Sequence, residues 1–103
     1  MEPTDMRKGF NGLSGLVRSK MNREPTDGSV YIFINRRRDK MKLLVWQSSG
    51  FVLYYKRLEV GTFEVPRQVQ DERKIVITWE TLVLIFQGIK LKNITRKKRY
   101  KRA

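Results

Sequence analysis

The chain has 103 residues, 40% of them hydrophobic and 11% aromatic, which suits one small globular domain and not a disordered chain. It carries 23 Lys and Arg against 10 Asp and Glu, a net +13, so a phosphate polymer is the first partner to consider, ahead of acidic proteins and anionic membranes. The absence of Cys and His excludes disulfides, thiolate nucleophiles, cysteine zinc sites and the commonest general base; no apolar run approaches membrane-helix length and no signal-peptide core follows Met1. The expected location is the cytoplasm, in association with the nucleoid.

Thr4 reads as an N-cap with Asp5 in the first turn. Met6, Phe10, Leu13, Leu16, Val17 and Met21 then recur at spacings of three and four, predicting an amphipathic helix over about 5–20. Gly9, Gly12 and Gly15 lie inside it. They imply either a close neighbour or a weak helix held by tertiary contacts. Residues 22–29, with Pro25 and Asp27-Gly28, read as a loop.

Three strands are expected next: Val30–Asn35, Met41–Gln47 and Phe51–Arg57. Their connections, Arg36–Lys40 and Ser48–Gly50, are short enough for antiparallel hairpins. Alternation puts Lys42, Leu44 and Trp46 on one face and Met41, Leu43 and Val45 on the other. Both faces are apolar, so the sheet needs covering twice, or one face is an interface. Phe63–Val65 reads as extended, 68–74 as a polar loop and Ile75–Ile77 as a fourth strand. Thr78 then caps a second helix in which Ile77 can staple to Leu82, and Gly88 ends it. Trp79, Leu82, Val83, Phe86 and Ile89 form its stripe, widened by Leu84 and Ile85. Trp46 and Trp79 are expected in the core.

The fold class that follows is α+β. An antiparallel sheet of three to four short strands carries an N-terminal and a C-terminal helix. Residues 1–94 form the single domain and 95–103 a basic tail, expected to be disordered when free. Residues 90–103 hold eight cations and no acid, leaving +5 for residues 1–89. In this tail Arg96, Lys97, Lys98 and Arg99 are candidate phosphate contacts, since Coulomb attraction to nucleic acid needs no fold.

The densest local feature is Asn35-Arg36-Arg37-Arg38-Asp39-Lys40-Met41-Lys42. Arg36, Arg37, Arg38, Lys40 and Lys42, joined by Lys56 and Arg57 at the same end of the sheet, are the candidate DNA-binding residues. The competing reading is a solvated turn charged against edge pairing. Tyr54 and Tyr55 either stack bases or belong to the core. No catalytic residue is assigned, because the acids fall mainly in loops and no phosphate-loop or serine-nucleophile motif occurs. No metal or other cofactor is expected.

Pro3-Thr4-Asp5-Met6-Arg7-Lys8-Gly9-Phe10, Asn35-Arg36-Arg37, Lys42-Leu43-Leu44, Trp46, Gly50-Phe51 and Tyr55-Lys56-Arg57-Leu58-Glu59 resemble a known family over about residues 3–90. It is the TnpB-type accessory protein encoded by the second reading frame of bacterial IS-sixty-six group insertion sequence elements. It is distinct from the RNA-guided nuclease of the same name. The resemblance implies a non-catalytic role in transposition beside a separate transposase. The signature residues it carries over are Thr4, Asp5, Met6, Arg7, Lys8, Gly9, Asn35, Arg36, Arg37, Lys42, Trp46, Gly50, Tyr55, Lys56 and Arg57. Asn11 and Gln47 stand where relatives are expected to carry acids, which raises local basicity. Relatives usually carry a further strand before the Pro3–Met6 motif. Its loss would open a sheet edge and favour a homo-oligomer. Two functions stay open: a DNA-binding accessory factor, and an interaction module that docks on the transposase or another accessory protein.

Overall fold

The computed structural model describes residues 2–64 and 79–87. In chain order its elements are α1 (Phe10–Ser19), β1 (Val30–Ile34), β2 (Lys40–Gln47), β3 (Gly50–Arg57) and α2 (Trp79–Phe86). The expected fourth strand at 75–77, the Thr78 cap, the Gly88 stop and the basic tail lie outside the described residues, as does the side chain of Trp79.

The strands form one antiparallel sheet in the order β1-β2-β3. Ile34 pairs with Met41 and Val30 with Val45 across the first hairpin. Lys40 pairs with Arg57, Lys42 with Tyr55, and Gln47 with Gly50 across the second. The second hairpin closes through Ser48 and Ser49, both left-handed at φ 46° and 67°. Two successive positive φ values are the signature of a type I′ turn, whose twist matches that of the strands it joins.

Alternation along the strands divides the core in two. Tyr31, Phe33 and Leu44 meet Leu13 and Val17 of α1 on one face, with Met6, Phe51 and Leu53 around them. Ile32, Ile34, Met41 and Leu43 meet Leu82 and Ile85 of α2 on the other, with Phe63 completing that cluster. The sheet of two apolar faces is thus covered twice, once by each helix. Trp46 is half-buried and meets Phe51 edge-on, with centroids 5.0 Å apart at 75°.

Helix α1 starts later than its sequence pattern predicts. Its N-cap is Gly9, and Leu13 N–H donates to the Gly9 carbonyl at 2.9 Å. Thr4 caps nothing: its N–H donates to the Ile34 carbonyl at 2.8 Å, laying residues 4–9 along the end of β1 as an arm. Asp5 folds that arm locally, accepting the Arg7 N–H at 2.9 Å. Such an Asx turn competes directly with helical hydrogen bonding. Of the two readings of the glycines, the close neighbour is not found among the described residues. A Cβ at Gly9 or Gly15 would meet nothing within 4 Å, and one at Gly12 only the Lys8 side chain at 3.1 Å. The helix is held instead by the complete burial of Leu13 and Val17.

Residues 20–29 return the chain to β1. The loop is anchored by buried Pro25 and by the Tyr31 hydroxyl, which donates to Asp27 at 2.7 Å. Phe63, expected in a short extended segment, lies outside the sheet and is almost fully buried, and its N–H donates to the Arg38 carbonyl at 2.7 Å.

Candidate nucleic-acid interface

The β1–β2 loop is a stapled structure and not a free turn. Arg38 N–H donates to the Asn35 carbonyl at 3.1 Å, closing a β-turn over Asn35–Arg38. The Asn35 side chain fills the loop. Its Oδ1 accepts the N–H of Asp39 at 3.1 Å and of Lys40 at 2.9 Å, and its Nδ2 donates to Asp39 at 2.6 Å. That last bond is the main reason the Asp39 carboxyl lies below its usual range, with the charges of Lys40 and Arg37 adding to it. Arg38 takes the left-handed conformation at φ 62°. From outside, Leu58 N–H donates to the Asp39 carbonyl and Phe63 N–H to the Arg38 carbonyl, each at 2.7 Å. Loop conformation is therefore set by backbone hydrogen bonds and the Asn35 side chain, with no arginine side chain taking part.

The arginines are left to project. Arg36 and Arg37 are exposed, and Arg38 and Lys40 are partly so. Among the described residues no hydrogen bond or ion pair engages the side chains of these four. Positive charge on a rigid loop costs little ordering entropy when it meets phosphate.

The other sequence candidates divide. Arg57 lies in register with Lys40 but is ion-paired to Glu59 at 3.0 Å, an exposed pair that contributes little to stability. Lys56 falls on the opposite face, half-buried, with its ammonium 5.8 Å from the Phe86 ring centroid. Lys42 departs furthest from expectation. It is 6% exposed, and its Nζ donates to the carbonyls of Met6 at 2.8 Å and Lys8 at 2.7 Å. Its ammonium also stands 4.6 Å from the Tyr55 centroid. A buried ammonium needs such partners, because a lone buried charge is strongly unfavourable. Lys42 is a clamp on the arm, and its ammonium does not reach the basic surface. Arg96, Lys97, Lys98 and Arg99 lie outside the described residues.

The clamp creates a site that sequence patterning alone did not assemble. With the arm drawn over Lys42, an open cleft of about 420 Å³ forms between the arm and the arginine loop. Thr4, Asp5, Met6 and Arg7 make one wall, Asn35, Arg36, Arg37 and Lys40 the other, and Tyr55 lies between them. Segments some thirty and fifty residues apart in sequence thus share one surface. Within it, Asp5 is bonded to Arg7, whose terminal nitrogen lies 2.7 Å from Oδ2. Those side-chain bonds, with the Arg7 N–H, hold the Asp5 carboxyl down at about 2. The cleft therefore carries the net positive charge of Arg36, Arg37 and Lys40. The sequence pattern places Asp5 in the first turn of a helix, and nothing in that pattern joins the segment to the loop it adjoins.

Among the described residues no group of three or more acids could hold a metal ion, and no helix is long and apolar enough to cross a membrane. A family model described as IS66 Orf2 like protein matches residues 1–96. A Sinorhizobium fredii (strain NBRC 101917 / NGR234) protein named "Uncharacterized protein y4jC" is 33% identical over 96 residues, covering 93% of this chain and 80% of its own length. A second protein of that strain, "Uncharacterized protein y4hO", is 35% identical over 63 residues, covering 61% of this chain and 55% of its own. No solved structure matches the chain.

Proposed function

The chain belongs to the IS66 Orf2-like family, non-catalytic accessory proteins associated with transposition, and from that premise we propose that it contacts DNA of the element through its arginine loop. Arg36, Arg37 and Lys40 make the principal phosphate contacts, Arg38 and Arg57 flank them, and Arg96–Arg99 of the tail add sequence-independent attraction. Lys42 and Lys56 are outside this contacting set. The observation that carries the reading is that no side chain among the described residues pairs with Arg36 or Arg37, on a loop braced by Asn35, Leu58 and Phe63. A loop charged only for solubility needs no such bracing.

The test is fluorescence anisotropy of the chain with a duplex from the element's end and with a scrambled duplex, across a salt series. Each lost phosphate contact lowers the slope of log affinity against log salt by about 0.9. Arg36→Gln with Arg37→Gln is expected to lower it by about 2, and an unchanged slope rejects the loop. Preference for the end duplex marks end recognition. Equal binding of both assigns specificity to a protein partner, for which the transposase is the first candidate.

A second reading, an interaction module docking on the transposase, draws on a different feature. An apolar groove of about 290 Å³ runs between β2 and α2, lined by Val30, Leu43, Val45, Tyr54, Leu82 and Phe86 among others. Retention of transposase on the immobilised chain after nuclease treatment would support it.

A further inference from the structure

We propose that the cleft between the arm and the arginine loop seats one unpaired nucleotide of DNA, its base stacked on Tyr55 and its phosphate among Arg36, Arg37 and Lys40. This deepens the DNA-contact reading above and rests on it. That reading needs only exposed cations and says nothing about a cleft with an aromatic wall.

Three observations carry the step. First, Tyr55 lines the cleft from the edge strand β3 and is 52% exposed, whereas Lys42 opposite it is buried and Leu53 on the same face is half-buried. An exposed ring in a cationic cleft is the arrangement in which aromatic side chains stack nucleobases. Second, the ring is backed. The Lys42 ammonium, itself fixed by two carbonyls, stands over it at 4.6 Å. No other ring or cation among the described residues covers its remaining surface. Third, the cleft volume of about 420 Å³ falls in the range of pockets that take a small-molecule-sized group. Asp5, the one acid lining it among the described residues, is neutralised by Arg7 and so does not repel a phosphate.

A base within a duplex has both faces covered by its neighbours and cannot stack on Tyr55 without leaving the helix. The occupant is therefore a nucleotide from a single-stranded or frayed segment. The same chemistry is offered by a free mononucleotide, which the experiment separates.

The full chain is titrated by anisotropy with a short blunt duplex and with the same duplex bearing a single-stranded overhang, as wild type, Tyr55→Phe and Tyr55→Leu. The wild type is expected to bind the overhang about five- to a hundredfold tighter than the blunt duplex, the range that one stacked base supplies. Tyr55→Phe keeps this preference, Tyr55→Leu loses it, and the three bind the blunt duplex within about twofold of one another. Equal binding of overhang and blunt duplex by the wild type overturns the proposal whatever the variants do. So does a preference that survives Tyr55→Leu, or saturation by thymidine monophosphate that removes the advantage of the overhang. Failure to bind either duplex instead overturns the DNA-contact reading itself.

Discussion

Lys42 and Tyr55 face each other across β2 and β3, the ammonium 4.6 Å from the ring centroid, and Lys42 spends its remaining hydrogen bonds on the backbone of residues 6 and 8. One side chain therefore fixes an aromatic ring and closes the N-terminal arm.

Replacing Lys42 by Met keeps the length of the side chain and removes the charge. The carbonyls of Met6 and Lys8 lose their donor, and the arm retains Met6 packing and the Thr4–Ile34 hydrogen bond. Lys42→Met is expected to lower stability by about 1.5–3 kcal/mol. Urea unfolding checks this, and a loss below about 0.5 kcal/mol would mean that the clamp is not a stabilising contact.

Asn35 is expected to matter for the loop although it carries no charge. Asn35→Ala removes two acceptor bonds to backbone N–H groups and one donor bond to Asp39. A loss of about 1–3 kcal/mol is expected, with weaker DNA affinity as the arginines lose their support. Thermal unfolding and anisotropy on the same protein check the two effects. Unchanged stability would contradict the bracing described above.

The distal turn offers the opposite sign. Ser48 and Ser49 hold left-handed φ values that side chains other than Gly, Asn and Asp disfavour. Ser48→Asn with Ser49→Gly is expected to stabilise the chain by roughly 0.4–1 kcal/mol. The melting temperature checks it. A fall would show that the serines make compensating contacts.

Acid should loosen the arm. Asp5 is lowered from 3.8 to about 2, chiefly by the Arg7 side-chain hydrogen bonds. A carboxyl lowered on folding stabilises the fold above its unfolded value and ceases to as pH falls through its folded one. The contribution of Asp5 is thus complete near pH 5 and lost toward pH 2, and Asp27 and Asp39, also lowered, act in the same direction. Carboxyl NMR titration is expected to place Asp5 near 2 in the wild type and to move it up toward 3.8 in Arg7→Gln, without a full return because the backbone N–H of residue 7 still donates to it. An unmoved midpoint would exclude Arg7 as the cause.

Strands and hairpins were legible in the sequence because their signals are local. Val30–Ile34 is dense in β-branched and aromatic residues, and Ser48-Ser49-Gly50 interrupts a run that otherwise continues. The start of α1 was not legible, because Thr4-Asp5 carries a genuine capping signal that lost to two competitors. One is the Asx turn with Arg7, and the other a hydrogen bond to Ile34, thirty residues away. Lys42 reads as one more cation in a basic run. Nothing adjacent to it shows that two carbonyls from the arm will be waiting. The cleft depends on both of those outcomes, so it emerges only once the arm is in place. The arginine loop itself was visible as composition, whereas its rigidity rests on Asn35, an uncharged residue at its edge.

The Ser48–Ser49 turn and the arginine loop close opposite ends of β2, whose eight residues separate them by roughly 25 Å of strand. Both serines are exposed and neither belongs to the core or to the cleft. A fluorophore or affinity handle attached there would sit beyond the reach of DNA held at the loop, so immobilised or labelled protein made through this turn should report binding without obstructing it.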